Sequence, residues 1–316
     1  MVHRGGRSAL RRVSSSLSVL VILVGTLLLG STPSVTAQDS TPIPTPSAAS
    51  GDFAGLVDVG GRSLWLNCMG EGAPTVILES GSPGMTSADW SGVQSSIAQF
   101  THVCAYDRAN VGSSDPAPMP RTVEEMADDL HTLLHSAGIP GPYVMAAFSF
   151  GPWVSRVYAS QHPEDIAGLV LIDGEPEDLE ARWKAVLPAD LAARWLQDYW
   201  GGNPEGIALE ESEVQVRDAR SLPEVPLIVI VHGDARQDPH LIPAGWPGEV
   251  LDPIWQELVA KQAELVPGGR LVVAEQSDHG IPFVQPELVV DAVREGVEAV
   301  RDPSRWATPE GGTPVP

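Results

Sequence analysis

From residue 55 onward, short apolar runs rich in β-branched residues alternate with longer amphipathic stretches. Runs at 64–67, 75–79, 103–106, 143–148, 166–172, 227–231 and 270–274 have the length and composition of strands. Strands separated by helical stretches predict an α/β fold, a mostly parallel sheet with helices on both faces. The clearest helix is expected over 123–137. Thr122 can cap it together with Glu125, while Met126, Leu130, Leu133 and Leu134 share one face and Gly138 ends it. Between the runs ending at 172 and starting at 227 lie some fifty residues with helical spacing. That is too long for a simple connection, so about 175–222 reads as a helical cap inserted over the carboxyl edge of the sheet, where open α/β sheets bind ligands. Its aromatics are Trp183, Trp195, Tyr199 and Trp200, residues that serve either for packing or for substrate contact. No repeat of 20 to 50 residues is visible, which sets aside solenoids and propellers.

The chain ends differ in character from this core. Residues 1–37 carry Arg4, Arg7, Arg11 and Arg12, then an apolar run over 17–29, then small residues ending at Ala37. This is the order of a signal peptide cleaved after Ala37, which predicts a secreted or extracytoplasmic protein. An uncleaved membrane anchor is the alternative, and only in that case is a membrane a partner. Residues 38–54 form a Pro/Ser/Thr-rich linker, 55–302 the folded domain and 303–316 a disordered tail.

With 316 residues and 43% hydrophobic content, the chain can bury a sizeable core. Its formal charge of −22 makes nucleic acid an unfavourable partner and is that of a well-solvated surface. A small-molecule substrate is the expected partner.

Chemistry concentrates at Tyr143-Val-Met-Ala-Ala-Phe-Ser-Phe-Gly-Pro-Trp153. An apolar strand, a tight turn at Ser149 and a helix start form a nucleophile elbow. Backbone crowding there demands small residues two places either side of the serine, and Ala147 and Gly151 occupy them, alanine standing where glycine is usual. Further segments carry a resemblance to the α/β-hydrolase family over about residues 56–300. The stretch Leu78-Glu-Ser-Gly-Ser-Pro-Gly84 is similar to the family's oxyanion loop, with Ser80 where histidine is common. Tyr106-Asp-Arg-Ala-Asn-Val-Gly-Ser-Ser-Asp115 resembles a second family loop, with Asn110 replacing a glycine. Gln276-Ser-Asp-His-Gly280 is similar to the loop presenting the catalytic histidine.

A serine hydroxyl needs a base within hydrogen-bond reach, itself oriented by an acid. The resemblance implies Ser149 as nucleophile, His279 as base and the amides of Ser82 and Phe150 as the oxyanion hole. The acid follows either the strand after the nucleophile helix, giving Asp173, or the next strand, giving Asp234 as the alternative. His131 and His135 are four residues apart on a helix without the glutamate of a zinc-hydrolase signature, and His102, His162, His232 and His240 receive no role. No metal and no organic cofactor is implied. The family's strand order sets Cys68 beside Cys104, so a disulfide suits an exported protein; two buried thiols are the alternative. The expected fold is an eight-stranded α/β-hydrolase sheet with a helical cap. The expected activity is hydrolysis of a carboxylic ester, amide or lactone of a small molecule through an acyl-serine. The alternatives are a non-catalytic ligand-binding protein on the same fold, or a perhydrolase or haloperoxidase-like activity.

Overall fold

A computed structural model describes residues 51–233 and 241–306. The expected signal peptide, most of the linker, Asp234, His240 and the last ten residues lie outside the described residues. Among those described, no helix is long and apolar enough to cross a membrane.

The strands are β1 (Phe53–Asp58), β2 (Ser63–Met69), β3 (Thr75–Glu79), β4 (Val103–Tyr106), β5 (Tyr143–Phe148), β6 (Ile166–Ile172), β7 (Leu227–His232) and β8 (Arg270–Ala274). They form one eight-stranded sheet in the order β1-β2-β4-β3-β5-β6-β7-β8. Only β2 runs against its neighbours; every pairing from β4 to β8 is parallel. The expected strand positions hold, and β1 is added. Its Phe-Ala-Gly-Leu-Val-Asp sequence mixes a glycine with an alternately exposed edge, so no apolar run marks it. The chain thus enters the sheet at its edge slightly before residue 55. It also runs past 302, because Pro303–Arg305 form a 3₁₀ turn and Arg270 lies 4.0 Å over the Trp306 ring.

Helices cover both faces. On one side lie α1 (Ser91–Ile97) and, near the end of the chain, the long helix Pro286–Arg301. Val93 and Ile97 of the first and Val289, Val293 and Val297 of the second pack on Val144, Ala146 and Val170 of the sheet. On the other side α2 (Val123–Ala137) and α3 (Gly151–Gln161) cover Tyr143, Met145 and Ala147, the alternate residues of β5. The predicted stop and start signals of α2 are in place. Thr122 and Glu125 form a reciprocal capping box, and Gly138 takes a left-handed φ of 69° that a side chain would strain.

Between β6 and β7 come four helices, α4 (Leu179–Lys184), α5 (Ala189–Ala193), α6 (Trp195–Trp200) and α7 (Leu209–Asp218). Trp183 and Trp195 are buried and stack edge to face with one another, with Trp246 beside both, which is a packing role. After β7 comes α8 (Gly248–Lys261), and beyond β8 the short α9 (Ile281–Val284) leads into α10, the long helix Pro286–Arg301.

Candidate active site

Parallel pairing with in-step register places the ends of neighbouring strands side by side. Phe148 pairs with Ile172 and Ile172 with Ile230, so Ser149 and Asp173 emerge together at the carboxyl edge of the sheet. Both residues leave their strands through positive φ, 58° at Ser149 and 44° at Asp173. Such backbone is costly for a residue with a side chain and persists only where its surroundings enforce it. Here Ser149 N–H donates to the Ile172 carbonyl at 3.0 Å and Asp173 N–H to the Ile230 carbonyl at 2.7 Å, which locks both turns. Gly151 is indispensable to the first turn, since a Cβ there would lie 2.7 Å from the Glu79 carbonyl oxygen. Ala147, the departure from glycine, is wholly buried against the helix-covered face, where its methyl fits.

Three of the sequence-predicted residues come together. Ser149 Oγ lies 2.9 Å from His279 Nε2, and His279 Nδ1 lies 2.6 Å from Asp173 Oδ2. Trp255 stands edge-on to the His279 ring at 5.4 Å and donates its indole N–H to Asp173 Oδ1 at 3.2 Å. Ser149 and His279 are each 7% exposed and Asp173 is fully buried, so the serine end opens to a cavity while the acid end is sealed. The cavity, about 280 Å³, is lined by Ser82, Phe148, Ser149, Glu175, Tyr199, Trp200, His279 and Phe283 among others. Helix α6 therefore supplies Tyr199 and Trp200 to the cavity while Trp195 packs behind them. Ser82 and Phe150, the expected oxyanion donors, flank the serine. Among the described residues neither amide donates a hydrogen bond within the chain, leaving both available.

Sequence reasoning missed what surrounds Asp173. His232, the last residue of β7, presents Nδ1 to Asp173 Oδ2 at 2.7 Å and Nε2 to Asp252 Oδ1 at 2.7 Å, and its own backbone N–H reaches Asp173 Oδ1 at 3.2 Å. With an acceptor-only carboxylate at each ring nitrogen, this imidazole donates from both and is an imidazolium. Burial opposes that charge, but Asp173 and Asp252 outweigh it and raise His232 to about 10. Burial likewise works against the Asp173 carboxylate, yet the hydrogen bonds and charge of His232 and His279 hold it well below the usual carboxylate range. The one available signal was positional: a histidine ending a wholly apolar strand.

A second buried network fixes the loop before the serine. Arg108 is fully buried and donates to Glu79 Oε1 at 2.6 Å, to the carbonyls of Ser80 and Gly81 at 2.6 and 2.7 Å, and to Glu205 Oε2 at 2.6 Å. Glu205 also accepts from Ser82 Oγ at 2.8 Å and from Gly84 N–H at 3.3 Å. Burial alone would raise Glu205, but Arg108 overrides it and keeps the carboxyl ionised. One guanidinium thus ties the 79–84 loop to the segment joining α6 and α7. Asn110, where the family has glycine, adopts φ 71° and accepts from Ala117 N–H at 2.9 Å, a left-handed conformation asparagine tolerates.

His131 and His135 lie on α2 beside His162 rather than near Ser149, with His131 stacked on His162 at 3.8 Å. Cys68 and Cys104 face one another across the antiparallel β2–β4 pair and are joined as a disulfide.

A family model of the α/β hydrolase fold matches residues 74–233. The chain is an α/β hydrolase. Among curated relatives, a probable transporter, efuK, from Hormonema carpetanum is 27% identical over 322 residues, covering 85% of this chain and 46% of that protein. The hydrolase thus spans less than half of that relative's length. Uncharacterized protein YqjL of Bacillus subtilis is 23% identical over 221 residues, covering 70% of this chain and 82% of its own. A putative carbamate hydrolase, RutD, of Cronobacter turicensis matches at 30% over 104 residues, 33% of this chain and 38% of that one. Solved structures similar to this hydrolase include an esterase from Thermogutta terrifontis, with TM-score 0.54, 19% identity and coverage of 78% of this chain and 99% of that one. The enol-lactonase of Burkholderia xenovorans LB400 superposes with TM-score 0.54 and 19% identity over 77% of this chain and all of its own. Identity at that level carries the fold and leaves the substrate to the site.

Proposed function

We propose that this α/β hydrolase is a serine hydrolase that cleaves a carboxylic ester, amide or lactone of a small molecule through an acyl-Ser149 intermediate. The observation that carries the reading is the unbroken hydrogen-bonded line Ser149–His279–Asp173, opening to the cavity at the serine end and buried at the acid end. His279 Nε2 takes the Ser149 proton as Oγ attacks the substrate carbonyl, while the Nδ1–H held on Asp173 fixes the tautomer that makes Nε2 a base. Negative charge on the carbonyl oxygen is met by the Ser82 and Phe150 N–H groups, the latter at the positive start of α3. The leaving group collects the proton from His279. Water, activated by the same imidazole, then releases the acyl group.

A fluorophosphonate probe tests the reading. Wild-type protein should label, and Ser149→Ala and His279→Gln should not; labelling that survives Ser149→Ala would falsify the nucleophile assignment. Chromogenic esters of graded acyl length, run beside amide and lactone counterparts, then define the bond cleaved. We also propose an extracytoplasmic location. The joined Cys68–Cys104 pair supports it, because disulfides persist in oxidising compartments. Mass analysis of the exported protein should find Gln38 as its first residue, and a retained N-terminal segment would point to the anchored form.

A further inference from the structure

The cavity that contains Ser149 also contains a carboxyl that acyl transfer leaves unused. Glu175 lies two residues beyond Asp173 and is 5% exposed. Its main chain is pinned on both sides. The N–H donates to the Ser149 carbonyl at 2.8 Å, and its own carbonyl accepts from Trp153 Nε1 at 2.7 Å and Gln262 Nε2 at 3.4 Å. Every hydrogen bond of Glu175 among the described residues is thus made by its backbone. The side chain faces the cavity beside Tyr199 and Trp200 of α6, with Phe148 and Phe283 completing an aromatic lining. No lysine or arginine lies among the described cavity-lining residues. Burial, reinforced by Glu213 on α7, pushes the Glu175 carboxyl well above its usual range. The other titratable groups around it among the described residues are Asp173, already satisfied by two histidines, Tyr199, whose phenol burial keeps neutral, and His279, engaged with Ser149 and Asp173.

A carboxyl that lines a substrate cavity and has no side-chain partner among the described residues is open to a ligand that completes it. The aromatic faces attract cations through their quadrupoles, and a formal charge of −22 draws cations toward the molecule. An anionic ligand would meet the aromatic faces and the net negative charge as repulsion. We propose that Glu175 is the recognition residue for an alkylammonium group on the substrate, so that the preferred substrate is a small cationic ester or amide. The inference rests on the acyl-serine reading for the bond that is cleaved, but ammonium binding is independent of it. On binding below the raised Glu175 pKa, the carboxylic acid gives its proton to solvent, and the resulting carboxylate pairs with the ligand cation.

Isothermal titration of the full chain with benzylammonium and with its neutral counterpart, benzyl alcohol, tests this. Buffers of different ionisation enthalpy report the proton. Wild type should bind benzylammonium at least about tenfold more tightly than the alcohol, the worth of one charge-assisted hydrogen bond, with proton release. Glu175→Gln should lose both the preference and the proton, and Glu175→Asp should retain part of each. Equal affinity for the two ligands in wild type, or a preference that survives Glu175→Gln, overturns the proposal. Turnover gives a second measure through p-nitrophenyl esters of 3-aminopropanoate and butanoate. Wild type should favour the aminoacyl ester in kcat/KM, and Glu175→Gln should remove the bias. Turnover of the butanoate ester without such bias would sink the ammonium site while leaving the serine hydrolase standing. Ammonium binding without fluorophosphonate labelling would do the reverse.

Discussion

Asp173 accepts from four donors, two on each oxygen: His279 and His232 ring nitrogens on Oδ2, and the Trp255 indole with the His232 backbone on Oδ1. A carboxylate so saturated orients its partners and has no capacity left to take up a proton. Asp173→Asn should therefore leave substrate binding largely intact and lower kcat by about four orders of magnitude, through the wrong His279 tautomer. Asp234→Asn should leave kcat within a fewfold of wild type, and steady-state kinetics on the two variants would discriminate between the two candidate acids. His232 makes a further statement at this scale. Its folded pKa, about 10, exceeds the unfolded value, so its contribution to stability is complete below about pH 6.5 and fades as pH rises through 10. Urea midpoints measured from pH 6.5 to 10 should fall steeply in wild type and less in His232→Gln. That variant should already be destabilised by about 3–5 kcal/mol at neutral pH, from two carboxylates stripped of their shared cation.

Among the elements, the region from α4 to α7 is joined to the body by Glu205, whose carboxyl holds Arg108, Ser82 and Gly84 together. Glu205→Gln keeps the shape and removes the charge. It should cost about 2–3 kcal/mol of local stability, seen as faster amide exchange over 179–218 and a reduced kcat, with the sheet core unaffected. What the sequence disclosed of this region follows from how local the signals are. Seven strands, the α2 caps and the elbow at Ser149 declare themselves within a dozen residues, because apolar periodicity and turn chemistry are local properties. His279 and Asp173 sit in loops at recognisable places after strands. By contrast, Arg108 and Glu205 are 97 residues apart and His232 and Asp252 are 20 apart on different elements. No short-range pattern marks such pairs; only the assembled fold brings them into contact. The edge strand β1 escaped notice for the opposite reason, having too little burial to impose a pattern.

For the molecule as a whole, the disulfide ties the antiparallel β2 to the parallel part of the sheet. It closes a segment of 36 residues, for which chain entropy allows a stabilisation of about 3–4 kcal/mol. Thiol titration of the denatured, unreduced protein should find no free thiol, and a Cys68→Ser/Cys104→Ser double variant should melt several degrees lower. Assembly of the site depends on the same sheet, since the serine, the acid and the imidazolium occupy the ends of three adjacent parallel strands. The link through Arg108 and Glu205 has its own consequence for selectivity. Ser82 is bonded to the very carboxylate that anchors the helical region, so under the proposed mechanism a substrate bulky enough to lift that region would also drag the proposed oxyanion donor out of place. Oversized substrates would then be rejected in the rate of the chemical step rather than in how well they are held, a form of proofreading by geometry.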